Sequence, residues 1–326
     1  MKEKLNPRLR RITLKQLRAL AAVVDAGSIT GAAEFIGVTP PAVSLQLRQL
    51  EDTLGLPLLE RTADGFRPTD AGREMLATVS RVEAILADGL ESIDALRGMQ
   101  GGRVAVGVIS TAKYFAPRAL AAFRRNHPEV ELRLLIGNRS ETIAALENFA
   151  VDFAITGRPP QHIEIERGLI GDHPHVIIAP PDHPLAARRR ITLTELAGET
   201  FLLREAGSGT RTLMRDLLSK AGLDPDAGME FGSNETIKQS VMAGIGIALI
   251  SAHTIAAEVE DRRLVVLDVV GLPIVRQWFV VKRREKRLLP AAQALWHHLI
   301  DEGESFLPHL ALPQRKGEET GQAAAS

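Results

Sequence analysis

The sequence predicts an α/β protein: an N-terminal winged helix-turn-helix, a long linker helix, and a two-lobed domain of alternating strands and helices. Three observations carry this. Apolar residues recur every three or four positions up to Leu54 with glycine stops between them, a second such stripe runs on from Asp70, and short apolar runs alternate with helical stretches beyond Gly102. With 326 residues the chain exceeds one typical domain, and its 45% hydrophobic content supports a packed interior.

Helix one carries Leu14, Leu17, Leu20, Ala21 and Val24 on one face and stops at Gly27. Helix two starts with Ser28 or Thr30 as N-cap, buries Ile29, Ala32, Ala33 and Ile36, and ends at Gly37. Helix three has Thr39 as N-cap and Pro40 at its first position, where no N–H is needed. Val43, Leu47, Leu50 and Leu54 form its core stripe, while Pro41, Ser44 and Arg48 lie on another face that is free to enter a major groove. A plain three-helix bundle shows the same periodicity. The segment after helix three separates the two readings: Leu58 to Arg61 and Phe66 to Pro68 flank Ala63-Asp64-Gly65, two short strands around a turn. Arg61 and Arg67 on these strands can reach phosphates or a minor groove. The candidate contacts to double-stranded DNA are therefore Ser28, Thr39, Pro40, Pro41, Ser44, Arg48, Arg61 and Arg67.

Residues 12 to 72 resemble the LysR-type transcriptional regulators. The likeness rests on Ala32-Ala33, Pro41-Ala42-Val43-Ser44, Gln46, Arg48 to Glu51, Gly55, Leu58, Leu59, Arg61, Thr69, Ala71 and Gly72. Pro40 and Leu45 depart from it, standing where the family commonly has Gln and often Arg, and Asp64 replaces a frequent wing arginine. Base readout is then expected to lean on shape and apolar contact.

Lysines and arginines balance Asp and Glu at 40 each over the whole chain, but Met1 to Leu50 holds eight basic residues against three acids. This local excess suits a nucleic-acid contact. The chain has no cysteine, which excludes disulfides, thiolate metal sites and thiol redox sensing. No signal-type apolar segment adjoins the charged N-terminus and no run of eighteen apolar residues occurs, so the expectation is a cytoplasmic protein without a membrane contact.

From Asp70 to about Gln100 the stripe Leu76, Val79, Val82, Leu86, Leu90, Ile93, Leu96 marks one long helix, closed by the hinge Gly101-Gly102. It either packs on its own chain or, as the resemblance implies, pairs with its copy in a second subunit. Beyond it, Val104 to Ile109, Tyr114 to Asn126, Val130 to Ile136, Ser140 to Asn148 and Phe153 to Thr156 read β-α-β-α-β. A second series begins near Val176, and the chain returns to the first lobe at Ile274 to Val281 before a helix from Pro290 to Phe306. These two lobes resemble the periplasmic-binding-protein-like effector domain of the same family. The expected domains are 1–69 (head), 70–101 (linker helix) and 102–311 (effector domain), with a disordered tail, 312–326, at the end. Within the effector domain, lobe I takes about 102–170 and 272–311, and lobe II about 171–271.

In such a domain a ligand sits at strand ends and helix N-termini, where free N–H groups favour anions. The strand-to-helix turns nominate Ser110, Thr111, Lys113, Asn138, Arg139, Thr156, Arg158, Arg204, Ser208, Thr210, Arg211 and Asn234. Singly each has an ordinary explanation, as an N-cap or a solvated arginine. Five cations spread over four of the five turns point to a small anionic effector, with phosphate or carboxylate as the group that arginine forks fit.

Leu14 to Leu20, Thr39 to Glu51, Gly137-Asn138-Arg139 and Gly157-Arg158-Pro159-Pro160 resemble the CbbR-type subgroup, regulators of carbon-fixation (Calvin-cycle) operons. The resemblance implies a phosphorylated or nucleotide effector, a homodimer or homotetramer on bent DNA, and RNA polymerase as a further partner. A family member controlling an unrelated operon through a carboxylate is the alternative. Two further rivals, an enzyme and a solute-binding protein, are disfavoured: no general base or nucleophile is evident, and the basic head has no place in an exported binder. Gly207-Ser208-Gly209-Thr210 lacks a Walker lysine, Gly244-Ile245-Gly246 lacks the third dinucleotide glycine, and His173-Pro174-His175 and His297-His298 lack partners for a metal. No cofactor or metal is expected.

Overall fold

The computed structural model describes residues 6–96, 101–224 and 228–310, so Lys2 and Lys4, the end of the linker helix and the expected tail lie outside the described residues. The chain divides into two compact units, one formed mainly by residues up to Arg97 and one by the remainder.

The first unit contains α1 (Leu14–Ala26), α2 (Ile29–Ile36), α3 (Pro40–Leu54), the hairpin β1 (Leu59–Thr62) and β2 (Gly65–Pro68), and α4 (Asp70–Leu96). Thr13 and Gln16 open α1 with a reciprocal capping box, and Gly27, Gly37 and Gly55 close the three helices in the left-handed conformation. Of the two N-caps offered for α2 the structure uses Ser28, whose Oγ accepts from Gly31 N at 3.1 Å. Leu20, Val43 and Leu50 are wholly buried, each contributing about 1.5–3 kcal/mol. The expected α1 stripe is displaced: Leu17, Ala19, Leu20, Ala22 and Val23 are buried, whereas Leu14, Ala21 and Val24 are half-buried. Contacts with α2, α3 and α4 around α1 widen its apolar face beyond one stripe.

The wing is fastened to α4. Thr69 Oγ1 donates to Pro57 O at 2.8 Å and accepts from Gly72 N at 3.0 Å, and a Cβ on Gly72 would lie 2.0 Å from Leu58 O, so only glycine fits. Met75, Leu76 and Val79 pack on the head core, whereas Ile85, Leu86, Leu90 and Ile93 farther along α4 are exposed. The beginning of this helix lies on its own head, and its later apolar residues are exposed.

The second unit contains, in order, β3 (Gly102–Ile109), α5 (Ala116–Asn126), β4 (Val130–Gly137), α6 (Arg139–Glu147), β5 (Phe153–Thr156), β6 (Ile165–Ala179), β7 (Leu202–Arg204) and α7 (Gly209–Lys220). After these come β8 (Met229–Phe231), α8 (Asn234–Met242), β9 (Ala248–Ser251), α9 (Ala256–Glu260), β10 (Val265–Val266), β11 (Ile274–Arg283) and α10 (Pro290–Asp301). Gly102, expected in a hinge, is the first residue of β3 and pairs with Val130. The expected helix from Pro290 to Phe306 ends at Asp301 and gives way to a short 3₁₀ turn.

β4, β3 and β5 run parallel, while β11 is antiparallel to β5 and to β6, and β6 is antiparallel to β9 and β10. The strand expected from Val176 actually begins at Ile165. From Ile165 to His175 it pairs with β11, and from His175 to Ala179 with β9 and β10. Glu166, Arg167, His173 and Pro174 interrupt the apolar run that would have marked it. Lobe I packs α5 and α10 on β3 around Val104, Val106, Phe115, Phe153, Trp278 and Leu295. Lobe II closes around Ile177, Leu203, Leu213 and Leu249. The long strands β6 and β11 pass between the lobes, and the cleft forms beside them.

Candidate functional site

The head presents α3 with Pro40, Pro41, Leu45 and Arg48 exposed and Val43, Leu47 and Leu50 buried. Prolines at the first two helical positions remove two N–H groups, and the next two, on Ala42 and Val43, bond to Thr39 O at 2.9 and 3.2 Å. This helix end therefore offers side chains rather than amides to DNA. Thr39 occupies the N-cap position but makes no side-chain cap bond. Ser44 Oγ donates to Pro40 O at 3.1 Å, which leaves its lone pairs for a base-edge donor. Leu45, 54% exposed, leaves an apolar side chain open beside Pro41 and Arg48 on α3. Ser28 is engaged as the α2 cap. On the wing, Arg61 is exposed, and Arg67 lies 3.5 Å from Asp64 in a solvated pair that holds it weakly.

In the second unit a cleft is lined by Ser110 and Thr111 after β3, Asn138 and Arg139 at the start of α6, Thr156 at the end of β5, and Gly157 and Arg158 after it. Ser208, Gly209 and Thr210 at the start of α7 line its other wall, with His173 and His175 on β6 and Arg276 on β11. Three guanidiniums face a space whose described lining contains no carboxylate. Burial first, then Arg158, lowers the pKa of Arg139. Arg276 is lowered chiefly by burial and next by Arg158, with Asp216 opposing. Such partly dried cations gain from an anion brought among them. The α7 N-terminus adds its dipole, and Ser208 makes no side-chain cap bond there.

Not all the sequence-derived candidates share this space. Asn138 lines it, but its side chain is committed to α6: Oδ1 accepts from Glu141 N at 3.0 Å, and Asn138 N donates to Glu141 Oε2 at 2.9 Å. Lys113, Arg204, Arg211 and Asn234 lie outside the lining of this cleft. Lys113 lies over the Tyr114 ring at 5.3 Å. Arg211 donates to Arg204 O at 2.9 Å and pairs with Glu230. Arg204, 3% exposed, forks onto Glu205 with two 2.7 Å bonds and also donates to Asn234 Oδ1 and Ser110 Oγ. Its charge is answered within the protein.

Polar links join the lobes across the cleft. Arg204 reaches Ser110, Ser140 N donates to Gly207 O at 3.3 Å, and Tyr114 Oη donates to Glu235 Oε2 at 3.2 Å. Lys238 supports the last from 3.0 Å on Glu235 and 2.8 Å on Glu258.

Sequence reasoning missed His173, His175 and Arg276. Their one signal was polarity inside otherwise apolar strands, as in Ile274-Val275-Arg276-Gln277-Trp278. Burial holds His175 at about 3 and His253 at about 4, and pushes His173 well below the imidazole range. All three are neutral near pH 7. Among the described residues no cluster could hold a metal ion, and no helix is long and apolar enough to cross a membrane.

Residues 14–73 match the bacterial regulatory helix-turn-helix protein, lysR family, and residues 97–304 match the LysR substrate binding domain. The chain is 55% identical over 300 residues to the HTH-type transcriptional regulator CbbR of Xanthobacter flavus, covering 91% of this chain and 90% of that protein. It is 44% identical over 291 residues to the RuBisCO operon transcriptional regulator of Allochromatium vinosum, covering 89% and 96%. The Synechocystis PCC6803 CcmR regulatory domain, solved in complex with 2-PG, superposes with a TM-score of 0.59 at 37% identity, covering 61% of this chain and 96% of that one.

Proposed function

The chain belongs to the LysR family of bacterial helix-turn-helix transcriptional regulators, and we propose that it controls a carbon-fixation operon in response to a small phosphorylated anion. The relatives it matches over about nine-tenths of its length are named as regulators, not enzymes. The carbon-fixation reading is supported by the RuBisCO operon regulator among them, and the anion class by the 2-PG held in the related CcmR domain.

The observation that carries the effector reading is the meeting of Arg139, Arg158 and Arg276 from three different elements around one carboxylate-free cleft. Arginine forks and a helix N-terminus match a tetrahedral dianion better than a single carboxylate. The anion bridges the lobes beside β6 and β11 and shifts their angle, and the exposed stripe of α4, paired with its copy, passes that shift to two heads on operator DNA in the cytoplasm. Calorimetric titration of the full chain with 2-PG, inorganic phosphate and succinate tests the effector class. The phosphate ester is expected to bind tightest, and succinate binding as well as 2-PG would overturn the phosphate assignment.

A further inference from the structure

Among the described residues lining the cleft, His173 is the one with buried side-chain polar atoms that lack a hydrogen-bond partner. It is 3% exposed, and neither ring nitrogen has a hydrogen-bond partner in the structure. A buried polar group left so is costly, and a bound ion, ligand or water is one way native proteins satisfy it. The ring is held firmly: it stacks on Trp278 with centroids 3.7 Å apart and planes 18° from parallel. Trp278 is in turn fixed by its Nε1, which donates to His253 Nδ1 at 3.0 Å, and by the edge of Phe115. On the other side the chain makes room. A Cβ on Gly157 would stand 2.6 Å from His173 Nδ1, so the loop after β5 passes the ring only because residue 157 has no side chain.

His173 pairs in register with Arg276, so the two side chains leave adjacent strands on the same face. A group that meets Arg276 is within reach of His173. We propose that His173 is a specificity-determining residue of the cleft, its imidazole hydrogen-bonding the same anionic head group that Arg139, Arg158 and Arg276 attract.

This rests on the reading of the cleft as an anion site and adds the partner that arginines alone do not provide. A fourth cation would raise the mutual repulsion already felt by Arg139 and Arg276. A neutral ring gives an N–H to an oxygen without adding charge. Burial, with His175, His253 and Arg276 around it, keeps the ring in that state.

The test is calorimetric titration of the full chain with 2-PG at pH 7.5, comparing wild type with His173→Phe, His173→Gln and Arg276→Gln. Phe keeps the stack on Trp278 and removes the polar atoms, whereas Gln restores a donor. His173→Phe is expected to weaken binding about tenfold or more, and His173→Gln to regain at least about a third of the loss on a logarithmic scale. Sulfate, whose charge is constant between about pH 6 and 8.5, is expected to bind wild type and His173→Phe in the same ratio across that range. A ratio that rises toward pH 6 would show a ring that charges there and would overturn the neutral-donor role. His173→Phe binding within twofold of wild type, or His173→Gln losing as much as His173→Phe, while Arg276→Gln binds weakly, overturns the role of His173 alone. Arg276→Gln binding as wild type overturns the cleft reading beneath it.

Discussion

Arg204 Nη2 donates to Ser110 Oγ at 3.1 Å, joining two residues 94 positions apart on opposite lobes. The same guanidinium is already forked onto Glu205, so its charge is paired within the protein and it serves as a buried clasp between the lobes.

Removal of this clasp acts on stability. Arg204→Ala leaves Glu205 and Asn234 without their partner and is expected to cost about 3 kcal/mol, measured by urea unfolding of the full chain. Ser110→Ala removes a single bond and costs about 1 kcal/mol. Equal unfolding midpoints for wild type and Arg204→Ala would remove the clasp role.

Arg139→Gln and Arg158→Gln act on the anion instead. Each is expected to weaken 2-PG binding by about tenfold or more, the scale of a charge-assisted hydrogen bond, with DNA affinity in its absence unchanged. Loss of DNA affinity in the untreated variants would show that these arginines support the fold.

Much of this was legible in the sequence, and the failures have a common cause. Glycine stops and three-four spacing placed α1, α2 and α3, and the turn chemistry after β3, β4 and β5 brought Ser110, Thr111, Arg139, Thr156 and Arg158 to one cleft. Arg204 and Arg211 looked the same as Arg139 on paper because a loop cation does not announce its acid. Glu205 is adjacent, but Glu230 reaches Arg211 only through the pairing of β7 with β8. His173 and Arg276 were hidden for the opposite reason. They stand within strands, where polarity broke the apolar run of β6 and so delayed its expected start to Val176.

The buried histidines predict acid sensitivity. His175 and His253 have folded values of about 3 and 4 against an unfolded value near 6.5, so the unfolded chain binds more protons between these limits. Their contribution is complete above about pH 6.5 and falls as pH drops toward 4, by up to about 1.4 kcal/mol per pH unit for each. His253→Gln is expected to flatten the slope of stability against pH between about 6 and 4.5, read by denaturant midpoints. An unchanged slope would place the acid sensitivity elsewhere.

On DNA, Ser44→Ala is expected to reduce specific binding much more than non-specific binding, since its lone pairs are left open on the α3 face expected to enter the major groove. Arg67→Ala reduces both and lowers the salt slope by about one unit. Asp64→Asn works the other way, freeing Arg67 and strengthening binding to any sequence. A Ser44→Ala loss equal on all DNA would take that residue out of base readout.

The proposed coupling between the DNA-binding head and the cleft is open to direct measurement. Fluorescence anisotropy follows the full chain on DNA upstream of its carbon-fixation genes and on a shuffled control, with and without 2-PG at fixed moderate salt. The predicted result is operator binding at least about 10³-fold tighter than the control, shifted by 2-PG in wild type and unshifted in Arg139→Gln. Equal affinity for the two DNAs, or the same 2-PG response in both proteins, would contradict it.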